Sequence, residues 1–431
     1  MSPATGADAA EQEPPELEPS ELEPSELELA ELALVRDLRA LARVPSAVPL
    51  GAQTLIAPDD PILQAYHRVL RPRFADLAGR VPGARMVDLP MEQYAVHVEG
   101  AAAGPTVMFM AYTPTQHHNE MSDPWSGDLR VPPGEEEHAV FGQGVTQNKA
   151  HQAVLLELLR RLAATGGIAR GSLWLCVNNE GRSSHNCSDA ILDAMPETPD
   201  LVVELFGTGF ACTIGNRGRV DIHVDLDGTA THSSSPPAAG RVIDAAADVV
   251  VALRDLDREA AAHTHPELGA EQVVPYLVRY DPLAPHTLPE RARITVDRRL
   301  LPGTSPANAA AELAAGLRRL LGAAPRGCAM DVTEGVAMLP YLLDAGQRAV
   351  LAPLDDAIRA RLGEVRHRVY GGTFDAGGPA ARGIPTVMFG VPEAGGLLGD
   401  DYLALAPLRD EADIVHDAVV RYLGTSERPP R

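Results

Sequence analysis

Residues 141–153, FGQGVTQNKAHQA, contain Lys149, the only lysine in a chain of 431 residues that otherwise relies on arginine for strong positive charge. Gly142 and Gly144 lead into a short polar turn, and apolar residues then recur at helical spacing over residues 151–163. The pattern predicts a glycine turn followed by an amphipathic helix. Drift in composition alone can leave a single lysine, so the stretch has to be judged together with its surroundings.

Outward from this stretch, apolar strand-length runs alternate with amphipathic helical patterns. This alternation predicts an α/β fold, and the length of the chain favours two domains. The predicted helices are 34–42, 61–77, 242–256 and 306–321, and the predicted strands are 94–98, 106–110, 173–177, 201–206 and 292–296.

The charge distribution excludes some partners. The net charge is −22, which argues against nucleic acid or an anionic membrane surface, since both require a basic face. Residues 1–32 hold ten acidic and no basic side chains in near-repeats of ELEPS, which predicts a disordered acidic tail over residues 1–33, with an interaction arm as the alternative. No apolar run spans a membrane and no secretory pattern is visible, so we expect a cytoplasmic protein.

Four cysteines, at positions 176, 187, 212 and 328, have no metal-like spacing. In a cytosolic chain of this size we expect them to be reduced and mostly buried. Cys187 lies two residues after His185, which leaves a thiol nucleophile open as an alternative. Adjacency in sequence, however, does not establish the geometry that such a pair needs.

Several motifs between residues 35 and 425 resemble those of the co-catalytic di-zinc amidohydrolases and exopeptidases, such as acetylornithine deacetylase, aminoacylase and glutamate carboxypeptidase. The stretch 142–150 is similar to G-R-G-x-x-D-M-K-G, and SDPWSGDL (122–129) resembles the loop before it. DRRLLPG (297–303) resembles D-x-R-x-x-P-G, YGGTFDA (370–376) matches G-G-x-x-D-A, and THSSSPP surrounds His232.

The resemblance implies a central mixed sheet flanked by helices, with an inserted α+β dimerisation or lid domain. It places the catalytic-type domain at residues 34–215 and 330–425 and the inserted domain at residues 216–329. It also implies a homodimer, in which His232 reaches toward the active site of the partner subunit.

The family's zinc ligands are mostly replaced. Gln147 occupies the position of the aspartate that bridges two zinc ions, and a neutral amide cannot supply that charge. Residues 111–114, AYTP, stand where the family has G-H-x-D, and Leu397 and Leu398 stand where a histidine ligand is expected. The usual general base is replaced by Asn179, which cannot take a proton from water.

Two carboxylates remain at the positions of metal ligands, Glu180 and Glu204. Alone they fall short of a zinc set, so no cofactor is expected, although zinc stays open. A rebuilt site from His117, His118 and Glu120 is a further alternative. Lys149 is predicted to balance Glu180 and Glu204, because buried carboxylates without a metal require a cation.

The candidate catalytic residues are His232, Asn179 and Lys149. The candidate substrate-binding residues are Gln147, Asn148, Asn216, Arg217, Gly371, Gly372, Thr373 and Asp375. The amides among them suit a carboxylate or an oxyanion.

Two functions of different class follow from these residues. The first is a hydrolase or acyl-transfer enzyme that acts on the amide bond of a small acylated amino acid or a dipeptide-like molecule, with a zinc-poor or metal-independent site. The second is a non-catalytic binding protein that keeps the ligand cradle without turnover.

Overall fold

The computed structural model describes residues 32–48, 57, 59–113, 115–117, 120–179, 184–393 and 399–426. Predictions made for the acidic tail up to residue 31, for Pro114, His118 and Glu180, and for Leu397 and Leu398 lie outside these residues.

The helices follow the apolar periodicity of the sequence. They are α1 (Ala33–Ala42), α2 (Pro61–Ala78), α3 (Ala150–Thr165), α4 (Asn186–Ala194), α5 (Val242–Ala260), α6 (Pro306–Leu321), α7 (Ala345–Arg348), α8 (Ala352–Leu362), α9 (Gly377–Ala381) and α10 (Leu405–Leu423). The predicted helices are therefore confirmed, with ends that differ by up to four residues. No helix among the described residues has the length and apolar character needed to cross a membrane.

The strands are more numerous than those predicted from the sequence, and four of the five predicted strands are longer in the structure. They are β1 (Ala47–Val48), β2 (Ala84–Leu89), β3 (Gln93–Glu99), β4 (Ala102–Tyr112), β5 (Thr115–His117), β6 (Leu129–Arg130), β7 (Ala139–Phe141), β8 (Arg170–Asn178), β9 (Leu201–Leu205), β10 (Cys212–Asn216), β11 (Gly218–Asp227), β12 (Thr231–His232), β13 (Thr264–His265), β14 (Gly269–Ala270), β15 (Gln272–Asp281), β16 (Thr287–Leu288), β17 (Arg291–Leu300), β18 (Ala329–Met338), β19 (Tyr341–Leu342), β20 (His367–Tyr370), β21 (Thr386–Phe389) and β22 (Tyr402–Ala404).

Within the described residues, a mixed sheet of nine strands forms the centre of the larger domain. Its strand order is β19-β10-β21-β9-β4-β8-β3-β2, and β20 pairs with β10. The middle strands β21, β9, β4 and β8 run parallel, so their carboxyl ends meet at one edge of the sheet. Parallel strands covered by helices on both faces are continuous apolar runs, as VMFMAY at residues 107–112 shows. The predicted fold class is confirmed.

The inserted domain has its own sheet and core. Its four strands are ordered β15-β17-β11-β18, and α5 and α6 bury their apolar sides against it. The sheet continues to Met338, because β18 pairs with β11 along most of its length. The small sheet therefore includes all of β18, which begins at residue 329, where the predicted inserted domain ends.

A π-helical turn, Val145–Lys149, connects the glycine turn to the first residue of α3. Gly144 adopts φ 83°, a backbone conformation that favours glycine. Asp401 fixes this end of the helix: its carboxylate accepts hydrogen bonds from the Gly144 N–H (2.7 Å) and the Thr146 hydroxyl (2.8 Å). Burial raises the pKa of Asp401 to about 6, against the lowering effect of those bonds. The turn holds Gln147, Asn148 and Lys149 in the buried interior.

Candidate functional site

Arg217 joins the two domains between β10 and β11. Its Nε and Nη2 atoms donate hydrogen bonds to the carbonyl of Gly371 (2.8 and 2.5 Å), and Nη1 donates to the carbonyl of Ala270 (2.9 Å). The carbonyl of Arg217 in turn accepts from the hydroxyl of Thr373 and from the amide of Asn216. Four of the predicted substrate-binding residues therefore lie together, as a group that we call the junction cradle.

Arg299, in the DRRLLPG motif, adds a second guanidinium to the junction cradle. It donates to the Thr373 hydroxyl (2.8 Å) and to the carboxylate of Asp297 (2.9 Å). Burial lowers the pKa of Arg217, and the charge of Arg299 lowers it further, which shows that the two cations lie within electrostatic range. The sequence analysis recognised the DRRLLPG motif but did not predict Arg299 as a site residue. The positive charge of Arg299 within that motif could have indicated it.

Gly372 allows the loop of the junction cradle to pack. A Cβ atom there would lie 2.5 Å from the ring of Tyr370, closer than van der Waals contact permits, whereas at Gly371 the nearest atom would be 3.9 Å away. Gly372 is therefore required for close packing, and Gly371 leaves open space beside Arg217.

Asp375 lies behind this loop and is fully buried. Its Oδ1 accepts hydrogen bonds from His185 Nδ1 (2.7 Å) and the Ser188 hydroxyl (2.8 Å), and its Oδ2 accepts from the amide of Asn178 (3.1 Å). With its carboxylate enclosed in this way, Asp375 positions the loop. Direct contact between Asp375 and a ligand, as the sequence suggested, is not what this geometry provides.

His185 supports Asp375 from the start of α4. The N–H of Leu339 donates to His185 Nε2 (2.8 Å), so the ring proton sits on Nδ1 and is donated to Asp375. The imidazole is thus engaged at both nitrogens. Cys187 lies near the sulfur of Met91 (4.0 Å), and its carbonyl accepts from Gln93. The structure gives no support to a Cys187–His185 nucleophilic pair, because His185 has no nitrogen left to accept the thiol proton.

Glu204 shares the interior with Asp375. Within the described residues, neither of its carboxylate oxygens has a hydrogen-bond partner of normal geometry. Burial and the charge of Asp375 raise the pKa of Glu204 well above its usual value, although the nearby Tyr112 hydroxyl and Ala376 backbone act in the opposite direction. The neutral, protonated form of Glu204 is therefore favoured. We call Glu204, Asp375, Tyr112, Asn178, His185 and Ser188 the buried acid cluster.

Asn179 is held by several hydrogen bonds at the end of β8. Its Oδ1 lies 2.7 Å from His67 Nε2 and 3.2 Å from the Thr113 hydroxyl, and its Nδ2 donates to the carbonyl of Met91 (2.8 Å). Burial lowers the pKa of His67. These bonds tie α2 to the edge of the sheet, so Asn179 is engaged in structural contacts at the position where a general base was expected.

Lys149 is fully buried, and its ammonium faces backbone carbonyls and aromatic rings. Its ammonium donates to the carbonyls of Ala42 (3.4 Å) and Val44 (3.0 Å), and it lies over the rings of Trp125 and Tyr66 at 4.5 and 5.8 Å. Burial lowers the pKa of Lys149 to about 7. The predicted pairing with Glu204 is wrong: carbonyl groups at the end of α1 hold the ammonium instead.

Two further predicted ligand residues lie in the π-helical turn. Asn148 is buried and donates to the carbonyl of Tyr112 (2.9 Å), and Gln147 is buried beside it. Gln152, which sequence reasoning missed, donates to the same carbonyl (3.0 Å) and accepts from the hydroxyl of Tyr66. The amides of Asn148 and Gln152 therefore bind the backbone of β4, and the predicted binding of a ligand by Gln147 and Asn148 stays a prediction.

His232 lies apart from these groups and is exposed, on the short two-stranded sheet that β12 and β16 form in the inserted domain. Its Nδ1 lies 2.8 Å from the Ser234 hydroxyl and accepts from the Ser234 N–H, and its ring centre is 6.1 Å from that of His286. Its role at a partner's active site stays a prediction.

The described residues do not fit a co-catalytic zinc pair. At the family's ligand positions that the structure describes, they offer the amide of Gln147, the phenol of Tyr112 and a single carboxyl group, that of Glu204, and the general-base position carries the amide of Asn179, whereas zinc takes thiolate, imidazole and carboxylate ligands. Among the described residues, one group of three histidine, cysteine or acidic side chains brings its ligand atoms within 4.8 Å of one another, and it lies elsewhere, at Cys212, Asp355 and His367. The alternative with His117, His118 and Glu120 falls largely outside the described side chains.

Comparison with known proteins identifies the inserted domain. Residues 214–324 match the family model of the peptidase dimerisation domain of the M20 type. No curated protein matches this chain in sequence.

Solved structures resemble the chain over nearly its whole length. Human carnosine dipeptidase 1 is 14% identical with a TM-score of 0.68, and the alignment covers 92% of this chain and 97% of that one. The dipeptidase Dug1p from Saccharomyces cerevisiae is 11% identical with a TM-score of 0.70, over 92% and 97%. The M20 family metallo-carboxypeptidase Sso-CP2 from Sulfolobus solfataricus is 15% identical with a TM-score of 0.69, over 90% and 99%. The chain therefore has the fold of the M20 peptidases and amidohydrolases and carries their dimerisation domain.

Proposed function

We propose that this chain binds a small, amino-acid-derived carboxylate at the junction cradle and acts on its amide bond without a co-catalytic zinc pair. The observation that carries the proposal is the pair of guanidinium groups, Arg217 and Arg299, held around the loop 371–373. A planar guanidinium with fixed neighbours is well suited to bind a carboxylate.

The hydrogen bonds leave both arginines able to bind a ligand. Arg217 uses three of its N–H groups on the carbonyls of Gly371 and Ala270, and a guanidinium has five. Asp297 offsets part of the positive charge, and its own pKa is raised by burial and lowered by Arg299. An anionic ligand would relieve the repulsion between the two cations, which favours a carboxylate over a neutral or cationic ligand.

The solved relatives support the substrate class. Two of them are named as dipeptidases and one as a carboxypeptidase. A dipeptide or an N-acylated amino acid carries a carboxylate next to an amide bond, so both features of the proposal meet in such a molecule.

A binding protein without turnover is the second candidate. One observation favours it: Asn179, at the position of the general base, is fully engaged with His67, Thr113 and Met91. A residue held in this way cannot activate water.

Binding and hydrolysis should be measured together on the full chain, with and without chelator. The probes are a panel of dipeptides and N-acetyl amino acids, and the same molecules with the carboxylate amidated. We expect binding that needs the free carboxylate and weakens roughly 10- to 100-fold in Arg217→Ala, the range for losing a hydrogen bond to a charged group.

Arg291→Ala is the matched control, because Arg291 is exposed and pairs with Asp281 in the same domain. Chelator-resistant release of the amine product would support the enzyme, and binding without release would support the second candidate. Equal affinity for free and amidated ligands would exclude both.

A further inference from the structure

Three side chains of metal-ligating type converge at the edge of the large sheet. Asp355 Oδ1 lies 3.7 Å from the sulfur of Cys212 and 2.9 Å from Nε2 of His367. All three ligand atoms lie within 4.8 Å of one another. None of the motifs or comparisons above assigns a role to these residues.

The fold fixes each of the three side chains on regular structure. Cys212 begins β10 and His367 begins β20, and the two residues are partners in the parallel pairing of these strands. Asp355 lies in the first turn of α8. The first residues of two strands therefore direct a thiol and an imidazole toward the same point as a carboxylate from the first turn of a helix.

The separations match those of ligands around one tetrahedral ion. With Zn–S near 2.3 Å and Zn–N and Zn–O near 2.0 Å, tetrahedral geometry puts neighbouring ligand atoms about 3.3 to 3.5 Å apart. The observed distances of 3.7 and 2.9 Å lie on either side of this value, so small rotamer changes would suffice.

We propose that Cys212, Asp355 and His367 bind one zinc ion, with water as the fourth ligand. A set of one thiolate, one imidazole and one carboxylate suits zinc and excludes calcium and magnesium, which take oxygen ligands. The ion joins α8 to the edge of the sheet and stabilises the larger domain.

Access to the site is from one side. Cys212 is fully buried, the side chain of Asp355 is 16% exposed and that of His367 is 32% exposed. An ion can therefore enter from the histidine side, where solvent supplies the fourth ligand.

This site is separate from the junction cradle. Asn216 of the junction cradle lies four positions after Cys212 along β10, which corresponds to about 13 Å along a strand. Zinc bound here takes no part in the chemistry proposed for the cradle, so either proposal can fail without the other.

The test uses the full chain, stripped of metal and titrated with Zn²⁺ and with Co²⁺. We expect one tightly bound ion per chain, a thiolate-to-cobalt charge-transfer band, and a higher melting temperature with zinc. In Cys212→Ser the band should vanish and zinc affinity should fall more than about 100-fold, because even changes outside the ligand shell cost 10- to 100-fold.

His367→Gln provides a second variant at an exposed position, in case Cys212→Ser fails to fold. It should weaken zinc binding and leave a cobalt–thiolate band of lower intensity. Cys328→Ser, which removes a different buried thiol, should behave like the parent. Absence of a thiolate band would overturn the proposal, as would zinc binding that survives Cys212→Ser and is lost on changing Glu204.

Discussion

At the scale of single residues, Lys149 gives the clearest consequence. Among the described residues its fully buried ammonium contacts carbonyls and aromatic rings and no carboxylate, so it loses its hydration without gaining a counter-charge in contact. Its pKa falls from 10.5 to about 7 in the folded protein, with Asp401 acting in the opposite direction. Folding therefore favours the neutral amine.

Lys149→Met should remove the rise in unfolding free energy with pH that Lys149 causes in the parent protein at alkaline pH. Between about pH 7 and 10.5 the unfolded chain keeps a proton that the folded chain has lost, so the stability of the parent relative to the variant rises with pH, by at most about 1.4 kcal/mol per unit. Urea unfolding of both proteins from pH 6 to 10 measures this difference. A constant difference across the range would show that the ammonium is hydrated.

Glu204→Gln should stabilise the protein increasingly as pH rises. The folded pKa of Glu204 lies well above the unfolded value of 4.5, so above pH 4.5 the unfolded chain releases a proton that the folded chain retains. The parent therefore loses stability with rising pH, and the neutral amide does not.

The check on Glu204 is chemical denaturation from pH 4 to 8, with Glu364→Gln as an exposed control. Parallel curves for the parent and Glu204→Gln would contradict the neutral-acid assignment.

These residue environments show how far the sequence could be read. The sequence singled out Lys149 as the only lysine. It could not predict the partners of the ammonium, because these are the backbone carbonyls of residues 42 and 44, and every residue has a backbone carbonyl. Asn216, Arg217 and Thr373 were predicted as site residues because they lie in recognisable motifs, and the structure places them together. His185 and Ser188 were missed as partners of Asp375, since nothing in sequence links positions that lie about 190 residues apart.

At the scale of elements, α3 and α10 are joined by a buried polar pair. His151 Nδ1 and Glu411 Oε1 lie 2.6 Å apart, and both side chains have no exposed surface. The other nitrogen of His151 and the other oxygen of Glu411 have no partner within the described residues. Each group therefore depends on the other.

Removal of either partner alone should cost roughly 3 kcal/mol of unfolding free energy, because the remaining group is left buried and unpaired. Removal of both, as His151→Leu with Glu411→Leu, should cost clearly less than the sum. Denaturant melts of the two single variants and the double variant form a cycle that measures the coupling. Additive losses would mean that the pair contributes packing alone.

Helix positions were predictable because apolar periodicity is local. The π-helical turn before α3 was not, since it depends on Asp401, which is more than 250 residues away in sequence. For the same reason the sequence placed a polar turn and a helix correctly and gave no indication of how the two join.

At the scale of the whole molecule, exposed apolar side chains concentrate on the inserted domain. Within the described residues this domain includes exposed Ile243, Val251, Val274, Tyr276, Val278, Leu283, Leu320 and Val336. Helix α5 carries two of these side chains, and the edge strand β15 beside it carries three, on the face of the sheet opposite the helices. A surface of this kind on a dimerisation domain favours pairing with a second copy.

We predict a homodimer that pairs through α5 and β15. Val251→Glu should shift the protein to monomer, because Val251 is 59% exposed and a charge there would be buried on pairing. Val336→Glu, 47% exposed on the opposite edge strand β18, should remain dimeric. Light scattering across micromolar concentrations measures both, and a parent protein that stays monomeric would refute the pairing.

The domain order could be predicted because the motifs that frame the insertion are recognisable in sequence. Its far boundary was placed too early, since the pairing of β18 with β11 is a long-range contact.

The burial of Lys149 also bears on how the chain reacts with acylating reagents. A lysine-directed reagent such as an activated ester requires a free, solvent-accessible amine, and the folded protein encloses its only lysine side chain completely. Acylation of this residue therefore needs the layer formed by α1, Trp125 and the π-helical turn to separate. The rate of labelling, followed by mass spectrometry, therefore measures how often the structure opens locally around Lys149.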